Sequence, residues 1–412
     1  MKKQIERELN FNFAQFLAAR KDALLVTVSL SLNELSRDGG LKDFLSLLFT
    51  TYNTLENTDH LSYTSMLTSR ISMMLTEKNT NNLHTHAVII AFYLLDSLIK
   101  HLPNFFVRFS ISQAIFIYLR NLKAYVRIPQ QDTIKISYSN NNLVILFDED
   151  RKKIKRDLNR YRNNRHFDLI SQPTSNLSCS QWSQVDTHVD IIAFERIISK
   201  ALLNISAVDG ELNKNILQLI DTVIPIKLPD NIPREDRLDY SVSFSEEKNI
   251  GTIFVSFMTN DIWLSETIVH EFAHNLLNVL MLSTNLIVNK KSVFYSPWKE
   301  KPRPAHGLLH ALFSFSYAAN FMGNLLLLAD SPSQKFIENR LIMHVHRLKF
   351  AFDEPLEESL TDEGKKVYQI IKSYFSSSSI SKILDLPCPE KLVAHKKKIM
   401  GQRKNSIVAN LY

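Results

Sequence analysis

The sequence predicts a mainly α-helical protein with a small β-hairpin or short-sheet element. Three observations carry this expectation. Glycine is scarce, 8 residues in 412, which argues against a turn-rich all-β fold. Long Leu/Ile-rich stretches repeat apolar residues at helical spacing, as in "HAVIIAFYLLDSLIKHL" (His86–Leu102). Two-residue alternation is confined to short segments. With 45% hydrophobic and 22% charged residues the composition is ordinary for a globular chain and ample for a core. The length suits one large domain or two to three smaller ones.

Taken in order, the residues up to about Lys123 read as apolar helices separated by polar turns. At Asp132–Asp150 the pattern changes. Ile134, Ile136 and Tyr138 alternate with polar residues, Asn140–Asn142 supply a turn, and Leu143–Phe147 follows, which predicts a β-hairpin over 132–147. The basic run Arg151–Phe167 holds eight Lys/Arg against one Asp and reads as a solvated helix or loop, or as a landing surface for an acidic or extended peptide. The Ser/Asn/Pro-rich Ser171–Gln184 reads as a loop, and it divides a region 1–180 from a region 181–412. Helices are expected at Val185–Leu203 and Val208–Val223. A proline-containing stretch, Ile226–Asp236, closes that section. Ile250–Phe257 is then a short β-type run leading into a helix that starts near Ser265.

The net charge of +7, from 49 Lys+Arg against 42 Asp+Glu, suits an acidic partner without demanding one. Aromatics are sparse in the basic run and no Gly-rich phosphate loop occurs, so nucleic acid is not an expected partner. Two cysteines, Cys179 and Cys388, make neither a disulfide framework nor a cysteine zinc site and fit a reducing compartment. The charged N-terminal stretch lacks the apolar run of a signal peptide, and a cytoplasmic protein is expected. Two stretches without Lys, Arg, Asp or Glu, 272–289 and 304–329, raise a membrane question. They contain His274, Asn278, His306, His310, Asn320 and Asn324, costly groups facing lipid, so they read as buried helices and no membrane partner is expected. The oligomeric state is not fixed by the sequence.

One pattern names a chemistry. In "TIVHEFAHNLLNVL" (Thr267–Leu280), His270 and His274 stand four apart and share one helix face, so two imidazoles can reach one ion. Glu271, rotated by about 100°, can reach a water activated at that ion. A third ligand is needed. The extended HExxHxxGxxH spacing fails, because Leu277 and Leu280 stand where Gly and His are required. No Asp or Glu lies between Glu271 and Glu300, and the first later candidates are Glu300, His306 and His310.

Three segments in order, "HEFAHNLLNVL", "FYSPWKEKPRPAHGLLHALF" and "SLTDEGKKVY", resemble the HExxH-motif peptide-modification family. These enzymes are iron- and 2-oxoglutarate-dependent, and they hydroxylate β-carbons of side chains in ribosomally made precursor peptides. The likeness runs from about Ile250 to Gln369, a third of the chain. It implies His270, His274 and, from "GLLH", His310 as ligands of Fe(II), with a precursor peptide as substrate. Arg303 stands at the family's arginine. A guanidinium fork matches a carboxylate bidentately, which assigns Arg303 the 2-oxoglutarate carboxylate. Tyr295 and Trp298 would wall the pocket. His306 departs from the family pattern. Glu271 would then orient a ligand or a water rather than act as the base.

Imidazoles suit iron and zinc alike, so the ligands alone do not choose the metal. A three-imidazole set leaves positions for bidentate 2-oxoglutarate and O₂. Beside the peptide β-hydroxylase stand two alternatives: a zinc metallopeptidase with Glu271 as general base, and a non-catalytic helical scaffold that binds peptide.

Overall fold

The computed structural model describes residues 39–54, 80–98, 101–111, 115–119, 124–128, 131–139, 142–147, 154–157, 168–169, 184–220, 222–229 and 240–375, together with 380, 383 and 386–388. The chain forms two compact units. The first takes residues 1–189, 219–227 and 246–256; the second takes 190–218, 228–245 and 257–412. The fold is mainly helical with small sheets, as the composition predicts.

In the first unit, helix α1 (Gly39–Thr54) buries Leu41, Phe44, Leu45 and Leu48, one stripe at helical spacing. It packs beside α2 (Thr80–Leu98), whose Ala87–Phe92 run is buried throughout. An antiparallel sheet has the order β1 (Phe105–Ile111), β4 (Gln131–Ser139), β5 (Asn142–Phe147), β6 (Ile154–Asp157). β2 (Ile115–Leu119) and β3 (Ala124–Ile128) form a separate hairpin. The expected hairpin is β4–β5, with Ile136 opposite Ile145 and Ser139 opposite Asn142.

The helical expectation up to Lys123 needs correction at β1 and β2. "FFVRFSI" turns Val107, Phe109 and Ile111 inward while Phe106 faces out, a two-residue period that the surrounding aromatic density masks. Phe44 of α1 stacks on Phe109 with centroids 5.9 Å apart, so the helix covers the apolar face of this sheet. Of the basic run Arg151–Phe167, β6 pairs with β5, and the rest lies outside the described residues. The boundary loop Ser171–Gln184 lies outside them too, except Gln184. Further on, β7 (Asp168–Leu169) and β10 (Thr252–Ser256) flank β8 (Thr222–Ile226) in parallel, with β8 and β10 buried at every position. This continuous burial explains why Ile250–Phe257 reads as an apolar run, whereas β8 corrects the helix expected over Val208–Val223, which ends at Leu219.

The second unit holds α3 (Ile191–Val208), most of α4 (Gly210–Leu219), β9 (Ser243–Phe244) and everything from α5 (Asp261–Ser283) onward. A hairpin of β11 (Val293–Ser296) and β12 (Lys301–Pro304) leads directly into α6 (Ala305–Leu326), followed by α7 (Ser331–Phe352) and α8 (Asp362–Phe375). Helix α6 is buried on nearly every face and packs against α5, α7 and α8. It is the central helix of the unit, and its lack of charge follows from having no solvent side. Helix α3 is tied to α5 by Ser265, whose hydroxyl donates to the Ala201 carbonyl at 3.1 Å. Among the described residues no helix is long and apolar enough to cross a membrane.

Candidate metal centre

The motif helix α5 starts one turn earlier than the sequence suggests. Asn260 caps it by accepting from the Trp263 amide at 3.0 Å, and Asp261 stands at the positive end of the helix dipole. Four-residue steps then place Glu266, His270 and His274 on one face, and the two imidazole centroids are 4.7 Å apart. Helix α6 supplies the facing pair. His306 and His310 are one turn apart, with ring centroids at 4.4 Å.

The two helices meet at their histidines. His274 Nδ1 lies 3.2 Å from His310 Nδ1, with the rings nearly stacked at 23°. Two nitrogens bound to one ion at about 2.1 Å are separated by roughly 3.0–3.4 Å, so this pair stands at the spacing of adjacent ligands. Without an ion, one of the two nitrogens must carry the proton and donate it to the other. A metal ion would displace that proton. Both His270 Nδ1 and His310 Nε2 are buried without a hydrogen-bond partner, an arrangement that is costly in a plain core. Among the described residues no group of three or more His, Cys, Asp or Glu is arranged to hold a metal ion. The His274–His310 pair is therefore in ligand register while His270 is adjacent without coordinating geometry. In residue type, pair spacing and orphaned nitrogens the site fits an imidazole-bound divalent ion.

Electrostatics keep these imidazoles neutral, the state in which they ligate. Burial pushes His270 down to about 3, and the neighbouring His344 charge adds to the effect. Burial also holds His274 and His310 well below the usual histidine range, helped by His270 at His274, by His274 at His310, and by the Arg303 and His306 charges at both.

Glu271 is buried, at 1% exposure, and its carboxyl is engaged from β9 and the residue after it. Ser245 Oγ donates to Glu271 Oε2 at 2.5 Å, and Ser243 adds a second side-chain hydrogen bond. Burial raises its pKa to about 7 in spite of both hydroxyls. Asn275 closes the arrangement, donating to Ser245 Oγ at 3.1 Å and to the Glu271 carbonyl at 2.9 Å.

Arg303 sits on β12 opposite Phe294, two residues before α6 begins. It is half-buried, forms no ion pair among the described residues, and acts electrostatically on both His274 and His310. The hairpin is turned by Glu300, in left-handed backbone at φ 54°. It is anchored where the Tyr295 amide donates to the buried Glu354 at 3.1 Å. Trp298 stacks on Phe315 at 4.6 Å and 6°, and Phe315 in turn lies 4.3 Å from the His270 ring. The pocket-wall expectation for Trp298 thus acquires a path to the site through Phe315.

Besides Ser243, Ser245 and Asn275, the neighbours Glu266, His344, Arg340 and Phe315 are absent from the sequence reading. Glu266, buried, accepts two hydrogen bonds from the Arg340 guanidinium, the one to Nη2 being 2.8 Å, and a third from His344 Nε2 at 2.7 Å. Burial alone would raise this carboxyl, yet His344 and Arg340 win and hold it at about 2. An ionised carboxylate only accepts, so the His344 proton is fixed on Nε2, and its buried Nδ1 has no partner. Glu266 was findable, since it lies one turn before His270 on the ligand face. His344, Arg340 and Phe315 come from α6 and α7 and leave no spacing signal with the motif.

The chain matches no family model and no curated protein.

Proposed function

We propose that the protein is an Fe(II)- and 2-oxoglutarate-dependent dioxygenase that hydroxylates a side-chain β-carbon of a ribosomally made precursor peptide. The observation that supports this most is the meeting of α5 and α6 at His274 and His310, with His270 one turn away and Arg303 on the strand feeding α6. His270, His274 and His310 would hold the metal, and Arg303 would take a carboxylate of 2-oxoglutarate. With O₂ as the terminal oxidant, bound iron and 2-oxoglutarate would supply the chemistry that places one oxygen atom in a C–H bond, the other oxygen going to the succinate formed as 2-oxoglutarate loses CO₂. The chain's own part is to bind, orient and keep water out. Buried Phe272, Leu308 and Leu309 flank the ligands, and a dry site limits loss of a reactive oxidant. Glu271, occupied by Ser243 and Ser245, stiffens α5 from behind the ligands rather than abstracting a proton. The cytoplasm, where precursor peptides are made, is the location this chemistry implies.

One observation favours the zinc peptidase. A carboxyl poised near 7 suits a general base, and removing such a base costs typically 10²–10⁴-fold. Protein purified without air and assayed for metal, for succinate release and for a peptide product heavier by one oxygen separates the two. The hydroxylase is expected to contain iron, and its Glu271→Gln variant keeps its metal and most of its turnover. Peptide cleavage by the wild type that disappears in Glu271→Gln would sink the proposal.

A further inference from the structure

Gly307 lies in the first turn of α6, inside the "GLLH" block. A Cβ built on it would meet the Arg303 guanidinium at 2.9 Å from Nε, 3.0 Å from Cζ and 3.1 Å from Nη2. Those are its three nearest neighbours, and all three belong to the planar charged group. The arginine has therefore come to rest against the helix at the one residue in this turn without a side chain. Its position is electrostatically unfavourable as it stands. Pro304 caps α6 without a side-chain acceptor, so the guanidinium faces the positive end of an uncapped helix and pairs with no carboxylate among the described residues. An anion would relieve both charges.

We infer that Gly307 is a positioning residue for Arg303: its missing side chain lets the guanidinium lie against α6, turned to grip a carboxylate beside His310. This rests on the proposed role of Arg303 as the co-substrate's carboxylate fork. It predicts a residue whose enlargement damages anion binding while leaving the fold and the metal alone. The group in the way is the far end of a flexible side chain, so Gly307→Ala is accommodated by moving the guanidinium and not the helix. Alanine is the better helix former, so stability should hold or rise.

The test is a double-mutant cycle. Wild type, Gly307→Ala, Arg303→Lys and the double variant are loaded with Fe(II) without oxygen and titrated with 2-oxoglutarate and, separately, with succinate. Metal content and Tm are measured on all four. Gly307→Ala should match the wild type in Tm and metal yet bind 2-oxoglutarate on the order of tenfold more weakly, the scale of one charge-assisted hydrogen bond. In the Arg303→Lys background the same change should alter affinity less than about twofold, because a compact ammonium does not meet the added methyl. Unchanged affinity in Gly307→Ala, an equal loss in both backgrounds, or a loss of Tm or metal overturns the inference. If the wild type binds succinate as well as 2-oxoglutarate, both with the Gly307 dependence, and yields no oxidised peptide, the inference holds and the dioxygenase reading falls. If the wild type binds neither acid, both fall.

Discussion

At Glu266 one carboxylate serves two side chains from α7, the Arg340 guanidinium and the His344 imidazole, and its loss should be felt in stability before it is felt in chemistry. Glu266→Gln leaves Arg340 and His344 without their charge partner, and breaking a buried pair in this way costs about 3–5 kcal/mol. The pH dependence is specific. The folded-state pKa near 2 lies below the ordinary value of 4.5, so the stabilisation is complete above pH 4.5 and is lost as pH falls towards 2. That loss is worth roughly 3 kcal/mol. Chemical denaturation between pH 6 and 2 should show this decline in the wild type and a flatter profile in Glu266→Gln. A decline of equal size in both would assign the acid sensitivity elsewhere. The candidate ligand histidines were legible because an i, i+4 repeat is a property of one helix. The Arg340 and Ser245 contacts were not, because their partners lie 74 and 26 residues away and only packing brings them together.

At the scale of elements, α8 shows what a segment readable only by likeness does physically. Thr361 caps it, accepting from the Gly364 amide at 3.0 Å and donating to the Asn285 carbonyl at 2.7 Å. A Cβ on Gly364 would stand 2.1 Å from the Leu286 carbonyl oxygen, a backbone atom that cannot swing aside. The "TDEG" stretch thus clamps α8 against the chain leaving α5. Gly364→Ala should destabilise by about 1–3 kcal/mol or more, the usual cost of forcing extra volume into a packed contact. Thr361→Ala should cost about 1 kcal/mol. Urea midpoints are the measurement, and a wild-type midpoint for Gly364→Ala would refute the clamp. This contrasts with Gly307, where the obstacle is mobile. Helix α6 was readable to within a few residues at each end, since polarity changes sharply there, whereas α5 begins one turn before the expected start near Ser265. Strands β1 and β2 were not, because short aromatic-rich runs satisfy helical and strand periods alike until a partner strand selects one.

At the scale of the molecule, His270, His274, His310, Glu271 and Arg303 all fall in the second unit. A ligand that binds only the folded state stabilises it, by about 4 kcal/mol at a thousand times Kd. Added Fe(II) under anaerobic conditions should therefore raise the Tm, and a chelator should lower it again. His270→Ala, His274→Ala and His310→Ala should each abolish the rise, with His306→Ala reducing it less. A rise that survives His310→Ala but vanishes in His306→Ala would transfer the third ligand to His306. What the first unit contributes was not legible: its helices and strands announce a core and carry no chemistry in their spacing.

The stack of Trp298 on Phe315 on His270 makes the site optically audible. An indole one ring away from the candidate ligand His270 lies close enough to an ion bound there for a paramagnetic metal to drain its excited state, while zinc, with a filled d shell, would leave it bright. The hairpin that carries Trp298 also carries Arg303, so an acid arriving at the guanidinium should disturb the same emission. Binding of a metal and of an acid could therefore be followed separately in unlabelled protein, with Trp298→Phe, which keeps Trp182 and Trp263, as the control that isolates the Trp298 signal.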